Sequence, residues 1–591
     1  MTFYYLPDGK QKYTDNADFY ARFIMQKQLL DEALWQKFVE VFTTKEDVKD
    51  EGWRGEYFGK MMRGAVLTYR YLPSDELYSL LESTVRALLS AADQEGRISS
   101  YPTSHEFCGW DMWCRKYVLV GCLYFYGICK DDSFKAEILR AMRAHLDYIL
   151  RHIGEGKTPV TETSGWYGGI NSASILEPVV ELYKLTKEPA YLRFAEEIIK
   201  TGGCKLGSVI EAANKGLLPH EFPTTKAYET MSFFEGVLAY YEVTGEKQYL
   251  SVVEKFADLV NENEITLIGC AGCRNEHFDH AAQTQANDIE EKTIMQETCV
   301  TVTWMRLQER LLRLTGDMKY ADRMEASALN ALYGAVNAQG EEQFCKEEKA
   351  FLPGVPFDSY SPLVAARRGI GIGGFKRFAS GGFYGCCACI GSAGTALYPL
   401  SSAMMTEQGG AILFYHAGEV TFPFSEGALR VKAEGSLASG KIVYHVLSAP
   451  DVEKALSFRL PSWSVRTEVL LNGQPAGQNG SLSTLSKVWK QGDAIAVIFS
   501  LEGKKHSLNG KVAFTYGPFV LARDEKKDAD FGGKLRLEEP LLLIPVQTEE
   551  TEEIRCLLHT AKGGVLLTDY ASCGKSWKQK HSRIAVWQKC K

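Results

Sequence analysis

A chain of 591 residues exceeds what one hydrophobic core can serve and implies two or more domains. Its 45% hydrophobic and 24% charged residues are those of an ordinary globular protein, and a formal net charge of -7 supplies no basic field for nucleic acid or anionic lipid. A neutral small ligand is the expectation that remains.

The first residues, MTFYYLPDGKQKYTDNADFY, lack the basic and apolar regions of a secretory signal, and no later stretch is apolar for long enough to span a bilayer. A cytoplasmic location without a membrane partner is expected. The 15 cysteines follow no disulfide framework and fit a reducing compartment. Helical periodicity covers residues 18–42, 74–93, 111–129 and 132–152. It then recurs in VVELYKLTKEPAYLRFAEEIIKTGG, VLAYYEVTGEKQYLSVVEKFADLV and RLQERLLRLTGDMKYADRMEASALNALYG. Each of these ends a helix at Thr (Thr186, Thr244, Thr315), turns through Lys187-Glu188, Gly245-Glu246 or Gly316-Asp317, and restarts near Tyr191, Tyr249 or Tyr320. Recurring hairpins of this kind predict an α/α toroid around an axial pocket over residues 1–410. From residue 411 the period becomes two, in AILFYHAGEVTFPF, ALRVKAEGSL, KIVYHVLSA, AIAVIFSL and KVAFTYGPFVLA, so residues 411–591 are expected to form one or two β-sandwich modules. The whole is a multidomain α + β protein.

Chemistry concentrates in a few places. GGFYGCCACIGSAG sets Cys386, Cys387 and Cys389 in a Gly-rich segment, which points to metal ligation or a reactive thiolate. Cys270 and Cys273 form CAGC, and two CxxC pairs would suit a structural zinc site, though the pairs lie over a hundred residues apart. Glu297 and Cys299, in ETC ahead of the amphipathic VTVTWMRLQERLL, can share a metal only where the chain is still extended or just entering a helix. Otherwise Glu297 is a first-turn carboxylate beside a buried thiol. His277 and His280 of HFDH are weaker metal candidates, and GIGIGG at 369–374 lacks a βαβ context and is expected to be a flexible loop at the pocket mouth.

The ETC segment, the cysteine loop and the stretches SFRLPSWSVRTEVLLNGQ, VWKQGDAIAV, FTYGPFVLARDE and LLTDYASCGKSW together resemble the zinc-dependent, cysteine-nucleophile β-L-arabinofuranosidase family of glycoside hydrolases. GEYFGKMMRGAVLTYRY and GWDMWCRKYVLVGCLYFY are similar to its N-terminal helices, so the resemblance covers nearly the whole chain. It implies an (α/α)6 barrel with appended β-sandwiches, a Zn2+ cofactor, and retaining exo-hydrolysis of a terminal furanose. Glu297 and Cys299 match metal ligands, and Glu276 of CAGCRNEHFDH matches the acid/base. Such a carboxyl would need a raised pKa. Here Ala388 interrupts the cysteine run. One alignment makes Cys386 the nucleophile and Cys387 a ligand. A one-residue bulge, the preferred alternative, makes Cys387 the nucleophile and Cys389 a ligand. Family histidines that hold the sugar have no counterpart in GGINSASILEPVVELY and KAYETMSFFEGVL. Asn171, Ser172, Lys226 and Glu229, with Trp110 and Asp111 of GWDMW, are the expected replacements. An oligosaccharide or glycoside is the expected partner, with a homodimer one option for assembly. The rivals are a carbohydrate-binding scaffold with a structural zinc-thiolate site and a lyase or epimerase on the same toroid.

Overall fold

The computed structural model describes residues 1–290, 293, 296–338, 342–478, 480–546, 553–575 and 583–591, so the last two residues of LLTDYASCGKSW lie outside the described residues. Among those described, six helical hairpins follow one another. Their helices are α1 (Glu32–Thr44), α2 (Glu56–Tyr71), α3 (Asp75–Ser90), α4 (Asp111–Ile128), α5 (Asp132–His152), α6 (Leu176–Thr186), α7 (Pro189–Lys200), α8 (Ala227–Thr244), α9 (Lys247–Asn263), α10 (Thr298–Thr315), α11 (Lys319–Ala326) and α12 (Cys386–Leu400). The even-numbered helices form a closed inner ring in which each packs on the next and α12 returns against α2. This is the (α/α)6 barrel. Inner helices are buried on every face, as α10 is over Thr298–Leu312 and α12 throughout. Outer helices bury one stripe at helical spacing, as in Phe134, Ile138, Met142, His145 and Ile149 of α5.

The repeated turns have a common physical basis. Lys187, Gly245 and Gly316 each end an inner helix in the left-handed conformation, at φ 54°, 70° and 73°. In each case the preceding Thr hydroxyl donates back to the carbonyl four residues earlier and accepts the N–H two residues on, at 3.2–3.3 Å. The helix expected over 18–42 is divided. Asn16–Ile24 passes into a π turn at Met25–Leu29, and Asp31 then caps α1 by accepting the Leu34 N–H at 3.0 Å.

After α12 the chain builds two sheets packed as a sandwich. One runs in the order Gln474–Pro475, Thr467–Leu471, Ala494–Phe499, Lys441–Ser448, Gly427–Ser436, Gly418–Phe424, Gln11–Tyr13. The other comprises Tyr4–Tyr5, Ala403–Met405, Gly409–Ile412, Glu453–Arg459 and Leu482–Val488. Rings such as Tyr444 and Phe458, 5.3 Å apart, join their inner faces. The first residues of the chain thus pair with strands four hundred residues later, a placement that periodicity does not disclose. Buried Arg459 clamps sandwich to barrel by donating to Asp322 and Glu325 of α11. A further sheet draws, among the described residues, eight strands from residues 503–589 and takes Ala366–Arg367, from the segment between α11 and α12, as a short ninth. No described helix is long and apolar enough to cross a membrane.

Candidate active site

Residues from the N-terminal ends of α2, α8, α10 and α12 meet around the thiols. Glu297 ends a two-residue strand (Gln296–Glu297) in extended conformation, φ -77° and ψ 130°, and Cys299 lies in the first turn of α10. That break lets residues two apart face one point. Gly385 precedes α12, whose first two residues are Cys386 and Cys387. The ligand atoms of Glu297, Cys299, Cys386 and Cys387 all lie within 4.8 Å of one another. Sulfur separations are 3.4 Å (Cys299 to Cys387), 3.7 Å (Cys299 to Cys386) and 3.9 Å (Cys386 to Cys387), and Glu297 Oε1 is 3.6 Å from Cys387 Sγ.

These residues fit a zinc ion. Tetrahedral coordination with Zn–S near 2.3 Å places sulfurs roughly 3.8 Å apart, the spacing seen. Glu297 Oε2 is buried without a hydrogen-bond partner, and burial followed by the Glu276 charge pushes that carboxyl well up, as expected of an anion built to meet a cation. Burial likewise raises the Cys387 and Cys299 thiols. Cys386 is drawn well below its ordinary value by hydrogen bonds from Cys299 and Cys387 and then by the Lys60 and Lys226 ammonium groups. Cys386 is also the most accessible of the three, 9% exposed against 0% for the others.

Two expectations for the cysteine run need correction. Residues 386–400 form a continuous helix, so no bulge exists, and Cys389 lies outside the four-ligand group, buried near Tyr57 and Tyr384. Nor does GIGIGG behave as a loose flap. A β-carbon on Gly373 would stand 2.7 Å from Cys387 Sγ and one on Gly374 2.4 Å from Cys386 Sγ, so the glycines let the chain lie directly over the thiols. Cys270 donates to the Glu297 carbonyl at 3.5 Å and Cys273 accepts from Gln296 at 3.5 Å, making CAGC a buttress of the ETC segment.

Glu276 is held at φ 63° by a bridge between Lys226 and His277. Its carboxylate accepts from Lys226 and, at 2.7 Å, from the Tyr360 hydroxyl. Burial, the largest single influence, pushes this carboxyl up, but the Lys226 charge and the hydrogen bonds from Lys226 and Tyr360 together outweigh it, and the net direction is downward rather than the raised value expected. Glu229, in the first turn of α8, is buried with Oε2 unpartnered, as are Asn171 Oδ1 and Ser172 Oγ. Trp110 is half-buried in an aromatic cluster with Trp53, Trp113 and Tyr167. Asp111 is otherwise engaged. It accepts from Ser99 at 2.5 Å, the Phe107 N–H at 2.7 Å and Arg115 at 2.9 Å, which leaves it structural. His277 hydrogen-bonds Thr225, and His280 stacks on His220.

Sequence reasoning missed several residues here. Lys60 lies 3.9 Å from Cys299 Sγ and 3.0 Å from Glu56, whose carboxyl burial lifts to about 7 and which accepts from Trp113. Tyr57, Tyr228 and Tyr360 complete the walls. Lys60 stands in GEYFGKMMRG, a helix so uniformly buried that a charged residue inside it was itself the available signal.

Comparison with known proteins agrees with the barrel-and-sandwich architecture. Residues 14–345 match the family model described as the β-L-arabinofuranosidase GH127 catalytic domain, and residues 411–501 match the GH127 middle domain. Among solved structures, a GH127 β-arabinofuranosidase is 17% identical over 100% of this chain and 98% of its own, with TM-score 0.75. A GH127 β-L-arabinofuranosidase from Geobacillus stearothermophilus T6 is 15% identical over 100% of both chains, with TM-score 0.72. A structure described as a glycoside hydrolase is 16% identical over 100% of this chain and 98% of its own, with TM-score 0.71. No protein with a curated description matches.

Proposed function

Since the chain belongs to the GH127 β-L-arabinofuranosidase family of glycoside hydrolases, we propose that it releases a terminal β-L-arabinofuranose with retention, using Cys386 as nucleophile and Glu276 as acid/base. The observation that carries this reading is the four-ligand cluster, in which the one accessible thiol is also the one whose neighbours favour the thiolate. Glu297, Cys299, Cys386 and Cys387 would hold zinc, which when bound keeps its coordinating thiols deprotonated without a neighbouring base.

In the first step the Cys386 sulfur forms a bond to the anomeric carbon while the bond to the leaving oxygen breaks, and protonated Glu276 gives that oxygen its proton. In the second, ionised Glu276 takes a proton from water, the water oxygen attacks the same carbon, and the carbon–sulfur bond breaks. Two inversions give retention. Lys226 and Tyr360 orient the carboxyl, and the Lys226 charge favours its ionised form, the one required in the second step. Glu229, Asn171 and Ser172 supply unpartnered polar atoms for the sugar hydroxyls. The 15 cysteines, none of them paired, support action in a reducing compartment.

The test is hydrolysis of a β-L-arabinofuranoside panel followed by NMR, with the β-anomer appearing first. Chelation should abolish turnover while far-UV circular dichroism keeps most of its signal. Unfolding on chelation would instead indicate a structural zinc site, and an unsaturated product a lyase.

A further inference from the structure

Between the acid/base and the surface runs a line of aromatic rings that the chemistry above does not use. The ring of Tyr167 lies 5.3 Å from Lys226 Nζ, which pairs with Glu276, and 5.6 Å from the ring of His277. Trp110 stands 6.2 Å behind it. Outward, Tyr167 meets Trp166 at 5.8 Å and an interplanar angle of 33°, and Trp166 is 45% exposed.

The backbone shows that this placement is enforced. Tyr167 adopts φ 51°, a left-handed conformation unfavourable for a bulky residue, followed by Gly168 and Gly169 at 64° and 81°. A β-carbon at Gly169 would stand 2.0 Å from the Thr161 carbonyl oxygen, and one at Gly168 2.3 Å from Cys204 Sγ. The turn is therefore pressed against the barrel, with Tyr167 beside the Lys226–Glu276 pair and Trp166 packed on its outer side. A bulky residue in the left-handed region persists only where its surroundings enforce it, and such residues cluster at ligand-binding sites.

We propose that Trp166 and Tyr167 form the subsite for the leaving group and that its occupant is a sugar ring, the second unit of an oligosaccharide. This rests on Glu276 being the acid/base. An acid that protonates the leaving oxygen stands on the leaving-group side of the scissile bond, so the rings adjoining it on the way out meet the departing unit. The apolar C–H face of a sugar matches an indole face, whereas a methyl leaving group is too small to reach it.

The test compares wild type, Trp166→Ala and Trp166→Phe on methyl β-L-arabinofuranoside and on a disaccharide of two β-linked L-arabinofuranose units. The ratio of kcat/KM for the disaccharide over the methyl glycoside should fall about tenfold in Trp166→Ala, mainly through KM, and recover in Trp166→Phe. An unchanged ratio overturns the subsite. Calorimetric binding of the same disaccharide to Glu276→Gln protein, with and without Trp166→Ala, gives a reading independent of turnover. A Kd about tenfold weaker supports the subsite even if wild type cleaves neither compound, in which case only the proposed activity fails. Equal Kd values, or no binding to either protein, overturn the subsite.

Discussion

The two ends of the inner ring solve opposite electrostatic problems with the same six helices. At the N-terminal end lie thiols, an orphaned Glu297 oxygen, Glu229 and Glu276, against the two ammonium groups of Lys60 and Lys226. At the C-terminal end, around a cavity of about 860 Å3, arginines meet carboxylates one against another. Arg306 pairs with Glu177 and Glu235 at 2.8 and 2.9 Å, Arg310 with Glu181 and Glu242 at 3.4 and 3.1 Å, and Arg313 with Glu309. One end is neutralised by its own side chains and is stable as it stands. The other is left unbalanced, which is what a site awaiting a cation and a substrate requires.

Removing the nucleophile should separate the ends most sharply. Cys386→Ala is expected to lower kcat by about 10⁴-fold or more without lowering Tm comparably, as steady-state kinetics beside thermal melts would reveal. At the far end, Arg306→Met strands buried Glu235 and leaves Glu177 to Arg310 alone, and it should cost about 3–5 kcal/mol of stability, read by denaturant titration, while KM for the sugar holds. If kcat fell as far as stability, the two ends would not be independent.

The smallest expected effect is a displaced pH profile. Because Lys226 holds Glu276 below the usual carboxylate range, the acid form is lost at lower pH than normal, and the alkaline limb of kcat/KM should begin early. Lys226→Met removes the lowering charge and leaves burial, so this limb should move to higher pH. The sign for stability is opposite. The depressed Glu276 contributes stability above its unfolded pKa that is lost as pH falls through the folded value, and Lys226→Met should remove that contribution at neutral pH.

The barrel was legible because its turns repeat. Thr186, Thr244 and Thr315 make the same two hydrogen bonds, and such local chemistry leaves a mark in sequence. Glu297 and Cys299 were singled out through the family resemblance, since ETC at a helix start alone also allows an ordinary first-turn carboxylate beside a buried thiol; the structure sets them beside Cys386 and Cys387. The cysteine run was not, because Cys387 and Cys389 differ only in which way a helix turns them, and the register is set by Gly385 and by the glycines lying over the thiols. Asp111 looked available although Arg115, Ser99 and the Phe107 N–H are all sequence neighbours, because only the folded turn ahead of α4 brings all three onto one carboxylate. Tyr167 escaped notice altogether, as backbone strain leaves no compositional trace.

Ring closure has a further consequence for how the protein is made. The residues that could hold a metal come from 297–299 and 386–387, and α12 completes the circle by packing on α2, over three hundred residues earlier. A ribosome must therefore have synthesised about two thirds of the chain before any of this chemistry can exist. Until then the four groups lie on separate stretches of chain, and the arrangement that could hold a metal appears only once the circle has shut.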